Sequence, residues 1–201
     1  MKMVLASKNQ KKLKELQAIL GQLGAQCVLE NEVGVDIEVE ETGTTFEENS
    51  YLKAHVVMKA TGLPAIADDS GLIVDALDGA PGVYSARYGG EMCKSDADRN
   101  QLLLQNLEQV PDAERTARFV SVITCCMPDG AVISAIGSCE GIILRQARGT
   151  DGFGYDPLFY VPQEQKTFAE LSAERKNAIS HRGRALAAFA QKMEEAGYVD
   201  K

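Results

Sequence analysis

The sequence of 201 residues predicts an α/β protein built on a mixed sheet with flanking helices. Three observations carry this. Strand-like and helix-like stretches alternate early in the chain, the order expected of parallel pairing. Two β-rich runs, 115–127 and 131–143, are joined by Pro128-Asp129-Gly130, a hairpin signal that calls for antiparallel pairing. Hydrophobic residues make up 45% and charged residues 25%, the proportions of a globular chain rather than of a disordered or coiled-coil one.

The elements follow in order. Residues 3–6 are a short apolar run and read as a buried strand. A polar turn, SKNQKK, leads into a helix whose apolar face is Leu13, Leu16, Ile19, Leu20 and Leu23, with Gly24 as its stop. Residues 26–29 read as a second strand. Val35, Ile37 and Val39 alternate with Asp36, Glu38 and Glu40, the period of a half-exposed strand. Thr44 and Thr45 each precede a glutamate by three residues, a capping-box pattern for a helix that Gly62 and Pro64 end. Residues 65–67 are a short apolar run feeding DDSG, and the apolar residues 72–74 follow. Ser95 with Asp98 opens a helix carried by Leu102, Leu103, Leu104 and Leu107 and ending near Pro111. After the hairpin, a glycine-rich loop at 149–157 runs into a strand. Thr167 with Glu170 caps a short helical piece, and Ser180 caps a last helix with Ala185, Leu186, Phe189 and Met193 on its apolar face.

Net charge is −8, which argues against a broad basic face for duplex DNA but leaves room for a local cation cluster around a small anion. Five cysteines without a CxxC pair, and only His55 and His181, fit neither a zinc site nor a disulfide scaffold. They read as buried thiols in a reducing compartment. No apolar run reaches the roughly 7–15 residues of a signal peptide or the about 20 of a membrane span, so a cytoplasmic protein with no membrane partner is expected.

Five segments carry candidate chemistry. Ser7, Asn9, Lys11 and Lys12 sit at a strand-to-helix turn, where free N–H groups and lysines suit an anion; a capped helix with solvated lysines is the plainer alternative. Asp68 and Asp69 are adjacent carboxylates whose mutual repulsion a hard cation such as Mg²⁺ would relieve, with Glu40 and Glu41 as a second acidic pair. A simple turn is the competing reading. Asn49 and Lys53 stand four apart on one helical face, which by itself suits a solvated surface. Gly152-Phe153-Gly154-Tyr155-Asp156-Pro157 offers an aromatic ring on an open loop, suited to stacking on a base, with a structural turn as the competing reading. Lys176 and Ser180-His181-Arg182-Gly183 place cations at a helix start, where a bound anion or a carbonyl-rich ligand would offset the macrodipole; surface Arg and His with water is the equal alternative.

Taken in order, SxNxxK at 7–12, FEENSYLKA at 46–54, ADDSGL at 67–72, GAPGVYSARY at 79–88, GFGYDPLF at 152–159 and SHRG at 180–183 resemble the inosine/xanthosine triphosphate pyrophosphatase family. Lys8 stands where many members carry glycine. The resemblance implies one catalytic domain over 1–201 with an elongated mixed sheet, two lobes around a nucleotide cleft, a homodimer and Mg²⁺. It implies hydrolysis of ITP, dITP and XTP to the monophosphate and pyrophosphate.

Carried over by position, Ser7, Lys8, Asn9, Gln10, Lys11, Lys12 and Lys53 would hold the triphosphate. Asp69 would be the general base and a metal-linked carboxylate, Glu40 or Glu41 would complete the metal site, and Ser70 would touch the substrate. Phe153, Gly154, Tyr155, Asp156, Lys176, His181 and Arg182 would hold the nucleoside, with Arg182 as a donor at the base edge. A related pyrophosphatase for unusual pyrimidine nucleotides and a nucleotide-sensing module that does not hydrolyse are the rival readings.

Overall fold

The computed structural model of the chain describes residues 1–21 and 24–199. Seven strands form one sheet in the order β2-β1-β3-β4-β5-β6-β7. β1 (Lys2–Leu5) pairs parallel with β2 (Gln26–Leu29) and with β3 (Ala65–Val74). β4 (Thr116–Cys126) follows β3, and β5 (Val132–Ile143) follows β4 across the Pro128-Asp129-Gly130 turn. β6 (Phe159–Val161) pairs antiparallel with β5 and with β7 (Lys166–Thr167). The sheet is therefore mixed, as the alternation and the hairpin predict.

The chain divides into two compact units. The first comprises Met1–Asp69, Ser121–Gly137 and His181–Lys201; the second comprises Ser70–Val120 and Ser138–Ser180. In the first unit the sheet is covered on both faces, which explains why β1 reads as an unbroken apolar run. Met3, Leu5, Ile66 and Cys125 pack with α1 (Gln10–Leu20) and α5 (His181–Glu195). Their neighbours along the strands, Val4, Ala65, Ala67 and Cys126, pack with α2 (Phe46–Thr61). Successive residues on a strand point to opposite faces, so each strand feeds both layers. Gly137 lets the first turn of α5 lie directly on β5: a Cβ there would collide with the His181 carbonyl and the Ala185 amide.

The second unit has its own core. Phe119, Phe159 and Phe168 form an aromatic cluster beside Leu103 and Leu107 of α3 (Asp96–Asn106) and its flank. Arg115 is buried there, and its guanidinium donates to the carbonyls of Leu107, Ile143 and Leu144.

Local signals hold well. Thr45 and Glu48 form the capping box of α2, and Gly62 ends it in the left-handed conformation. Ser95 and Asp98 cap α3 in the same way. On α1, Leu16 and Leu20 are buried and Leu13 and Ile19 lie against the core, while Leu23 falls outside the described residues. The four apolar residues assigned to α5 are all fully buried. All five cysteines are free and buried, and burial pushes the Cys27 and Cys125 thiols up to about 12.

Five expectations are corrected. Residues 35–39 form no strand: their side chains alternate between half-buried and exposed, but no neighbouring strand pairs with them. DDSG is not a turn but the middle of a continuous β3, because sheet pairing overrides the turn preference of Asp, Ser and Gly. α1 ends at Leu20 rather than at Gly24, and α3 ends at Asn106, well before Pro111. After the 3₁₀ turn Phe168–Glu170 comes a separate helix, α4 (Ala173–Ile179), capped by Ser172.

Candidate active site

The first unit gathers a charged cluster around β3. Because β3 stays extended through the acidic pair, Asp68 points to the α1 and α5 face and Asp69 to the α2 face. The sequence argument that a shared cation relieves repulsion between them therefore fails, since the two carboxylates look away from each other.

Asp68 is fully engaged. Its Oδ2 accepts from Arg182 Nε at 3.1 Å and Nη2 at 2.9 Å and pairs with Lys12 Nζ at 2.9 Å; its Oδ1 accepts from Ser121 Oγ at 2.6 Å. Burial pushes this carboxyl up, but Arg182, Lys12 and the Ser121 hydroxyl outweigh burial and hold it well below the usual carboxylate range. Arg182 Nη1 donates to Glu15 Oε2 at 2.5 Å.

Asp69 differs. Its Oδ1 accepts from Lys53 Nζ at 2.7 Å, and the same ammonium donates to Glu41 Oε1 at 2.8 Å. Asp69 Oδ2 is buried with no hydrogen-bond partner among the described residues. Burial raises the Asp69 carboxyl, Lys53 lowers it and Glu41 raises it again, leaving it above its ordinary value. Lys12 and Lys53 both reach the Asp68 carbonyl, at 3.1 and 3.4 Å. In this cluster four carboxylates, Glu15, Glu41, Asp68 and Asp69, face three cations, Lys12, Lys53 and Arg182.

An orphaned carboxylate oxygen beside a second carboxylate is a hard-oxygen donor set, and it fits a divalent cation. Among the described residues no three His, Cys, Asp or Glu side chains gather to hold a metal. Such a cation would therefore take its remaining ligands from solvent or from substrate, as Mg²⁺ commonly does. Of the two predicted glutamates, Glu41 joins the cluster, whereas the Glu40 side chain is exposed.

At the start of α1 the plainer reading describes the backbone. Asn9 Oδ1 accepts from the N–H groups of Lys11 and Lys12, and Ser7 Oγ accepts from the Asn9 N–H, so these donors are already taken. Lys12 reaches into the cluster; Gln10 and Lys11 are exposed, and Lys8 pairs with Asp36 on the surface. Asn49 and Lys53 are not the solvated surface that their spacing suggests: Asn49 is fully buried.

The second unit carries a separate group. Asp156 Oδ2 accepts from the Phe153 N–H at 2.9 Å and from Lys176 Nζ at 2.7 Å, and that ammonium lies 5.0 Å from the Phe153 ring centroid. The buried Tyr155 hydroxyl donates to the Ser85 carbonyl at 2.8 Å, which makes Tyr155 a strut of the loop. Ser70, next to Asp69 on β3, is half-buried. His181 and Arg182 belong to the first unit and are buried.

Sequence reasoning missed several partners. Asp96 Oδ2 accepts from the Gly154 N–H at 2.8 Å and Asn100 Nδ2 donates to the Gly154 carbonyl at 3.0 Å, fixing the loop beside Phe153 from both sides of one residue. Glu15, Ser121 and the structural role of Asp68 were equally invisible, because their partners lie far away in sequence and none belongs to a short motif.

The Ham1 family model matches residues 3–192. A protein of Desulforamulus reducens named dITP/XTP pyrophosphatase is 55% identical over 186 residues, covering 92% of each chain. A solved HAM1 protein from Coxiella burnetii superposes with a TM-score of 0.88 at 47% identity, covering 97% of this chain and 99% of its own. The Ham1 protein of Staphylococcus aureus gives 0.87 at 43% identity, covering 98% of this chain and 100% of its own. With the family model matching residues 3–192 and nearly the whole chain covered by its relatives, the chain belongs to the Ham1 family.

Proposed function

We propose that the protein hydrolyses deaminated purine nucleoside triphosphates, dITP, ITP and XTP, to the monophosphate and pyrophosphate. The carrying observation is the Glu41–Lys53–Asp69 cluster, whose Asp69 Oδ2 is unpartnered among the described residues, in a chain whose relatives are named for this activity. Asp69 and Glu41 would hold Mg²⁺, which when bound would neutralise charge on the phosphate oxygens. Lys53 and Lys12, each seated against a carboxylate, supply ammonium groups to the triphosphate and to the pyrophosphate leaving group. Asp69 orients the attacking water and takes its proton. No covalent intermediate is needed.

The nucleoside falls to Phe153, Asp156 and Lys176. Stacking on Phe153 suits any base. The Lys176 ammonium is a donor with no acceptor capacity, so it favours a 6-oxo group over a 6-amino group. Arg182, whose donors go to Asp68 and Glu15, is better read as a support for Asp68 than as a reader of the base edge. The protein works as a homodimer in the cytoplasm on this reading.

The test is to quantify pyrophosphate and monophosphate released from ITP, XTP, GTP, ATP and TTP with and without Mg²⁺. ITP and XTP should be cleaved well and ATP poorly. Binding of ITP without pyrophosphate release would favour a sensing module instead, and preference for a pyrimidine nucleotide would favour the related pyrophosphatase.

A further inference from the structure

Glu41 closes a stretch with no regular structure. Residues 35–43 belong to no strand or helix, so no ladder fixes the carboxylate that faces Lys53. The first turn of α2 ties down the backbone just after it. The Gly43 N–H donates to Asn49 Oδ1 at 2.8 Å. Glu48 Oε2 accepts from Thr44 N at 2.7 Å, Thr44 Oγ1 at 3.0 Å and Thr45 N at 3.3 Å. The contact at Gly43 is close: a Cβ there would lie 2.6 Å from Glu48 Cβ and 2.7 Å from Asn49 Oδ1.

Asn49 is an unusual residue to bury for packing alone. It is 0% exposed, and its amide nitrogen has no hydrogen-bond partner among the described residues. An unmet buried donor costs free energy that an apolar side chain of similar shape would avoid. The bond through Oδ1 is thus what the residue contributes. Asn49 also lies one helical turn before Lys53, the lysine that touches both Glu41 and Asp69. Glu41, Gly43, Asn49 and Lys53 form a closed loop of chain, hydrogen bond, helix and ion pair that sets the reach of Glu41 toward Asp69.

We infer that Asn49 and Gly43 are positioning residues for Glu41, and that they tune the affinity of the Asp69–Glu41 pair for a divalent cation. This rests on the metal reading of that pair. Residues that orient metal ligands commonly change affinity by about 10–100-fold when lost.

The experiment measures Mn²⁺ binding to the full chain by electron paramagnetic resonance, without nucleotide, alongside urea unfolding. Asn49→Leu removes the acceptor and the unmet donor together. It should weaken Mn²⁺ binding about 10–100-fold while unfolding stability is kept or raised. Gly43→Ala, which perturbs the same bond from the other side, should weaken binding in the same direction and serves if Asn49→Leu does not fold. Glu41→Gln is the reference for the metal reading. If Glu41→Gln binds Mn²⁺ like the wild type, the metal pair itself is wrong and the inference goes with it. If Glu41→Gln weakens binding while Asn49→Leu and Gly43→Ala do not, the pair stands and the positioning role is overturned.

Discussion

Asp68 and Asp69 are neighbours in the chain and opposites in environment. Asp68 accepts from two cationic side chains and a hydroxyl and is held well below the usual carboxylate range. Asp69 shares one lysine with Glu41, keeps an oxygen unpartnered among the described residues and sits above its ordinary value. The difference follows from the two-residue period of β3, which gives one carboxylate to α1 and α5 and the other to α2. One face of the strand is finished as structure, whereas the other is left with capacity to bind.

The sharpest way to break this contrast is Asp69→Asn. Turnover should fall about 10²–10⁴-fold, the usual range for losing a general base. Stability should hold or rise, since the fold disfavours the ionised form of Asp69 and Lys53 keeps Glu41. Pyrophosphate release and thermal unfolding on one preparation decide it; near-normal turnover would remove Asp69 from the chemistry. Asp68→Asn should do the reverse. Removing one partner of a buried ion pair costs about 3–5 kcal/mol, read as a lower urea midpoint. The native carboxyl of Asp68 is depressed, so its contribution is present above the unfolded-state value of about 3.9 and is lost as pH falls through the depressed native value. The gap between wild type and variant should therefore close in strong acid, and a gap independent of pH would contradict the ion-pair account.

Lys12→Ala sharpens the comparison further. Asp68 keeps Arg182 and Ser121, so the stability loss should be smaller than for Asp68→Asn. Loss of a charge-assisted contact of about 1.5–3 kcal/mol should lower kcat/KM for ITP roughly 10- to 150-fold. The smallest effect belongs to Lys8→Ala. Lys8 pairs with Asp36 in the open, and such pairs are screened by salt. Unfolding should be unchanged and kcat/KM should stay within about twofold at physiological ionic strength; a larger loss would return Lys8 to the phosphate site.

What was legible in the sequence was what is decided locally. The capping boxes at Thr45 and Ser95, the Gly62 stop and the apolar face of α5 each depend on residues a turn apart. Residues 35–39 misled because alternation records exposure, which the chain does have, and not a pairing partner, which it lacks. DDSG misled because turn preference is weak beside a ladder with neighbours on both sides. At the site, Asp69, Lys12 and Lys53 were legible as charged residues inside the short motifs that carry the family resemblance. The Arg182–Asp68 pair joins residues 114 apart, and one sequence carries no mark of such a pairing.

The buried thiols have a practical consequence. Cys27, Cys125 and Cys126 belong to the first unit, and Cys93 and Cys139 to the second. With no thiol on the surface and two of them pushed up to about 12, the native protein resists alkylation, since only an exposed thiolate reacts. A brief pulse of an alkylating reagent during denaturation therefore writes a record into the chain. Peptide masses then report whether the three sites of one unit and the two of the other open together or in sequence, with no engineered label in either.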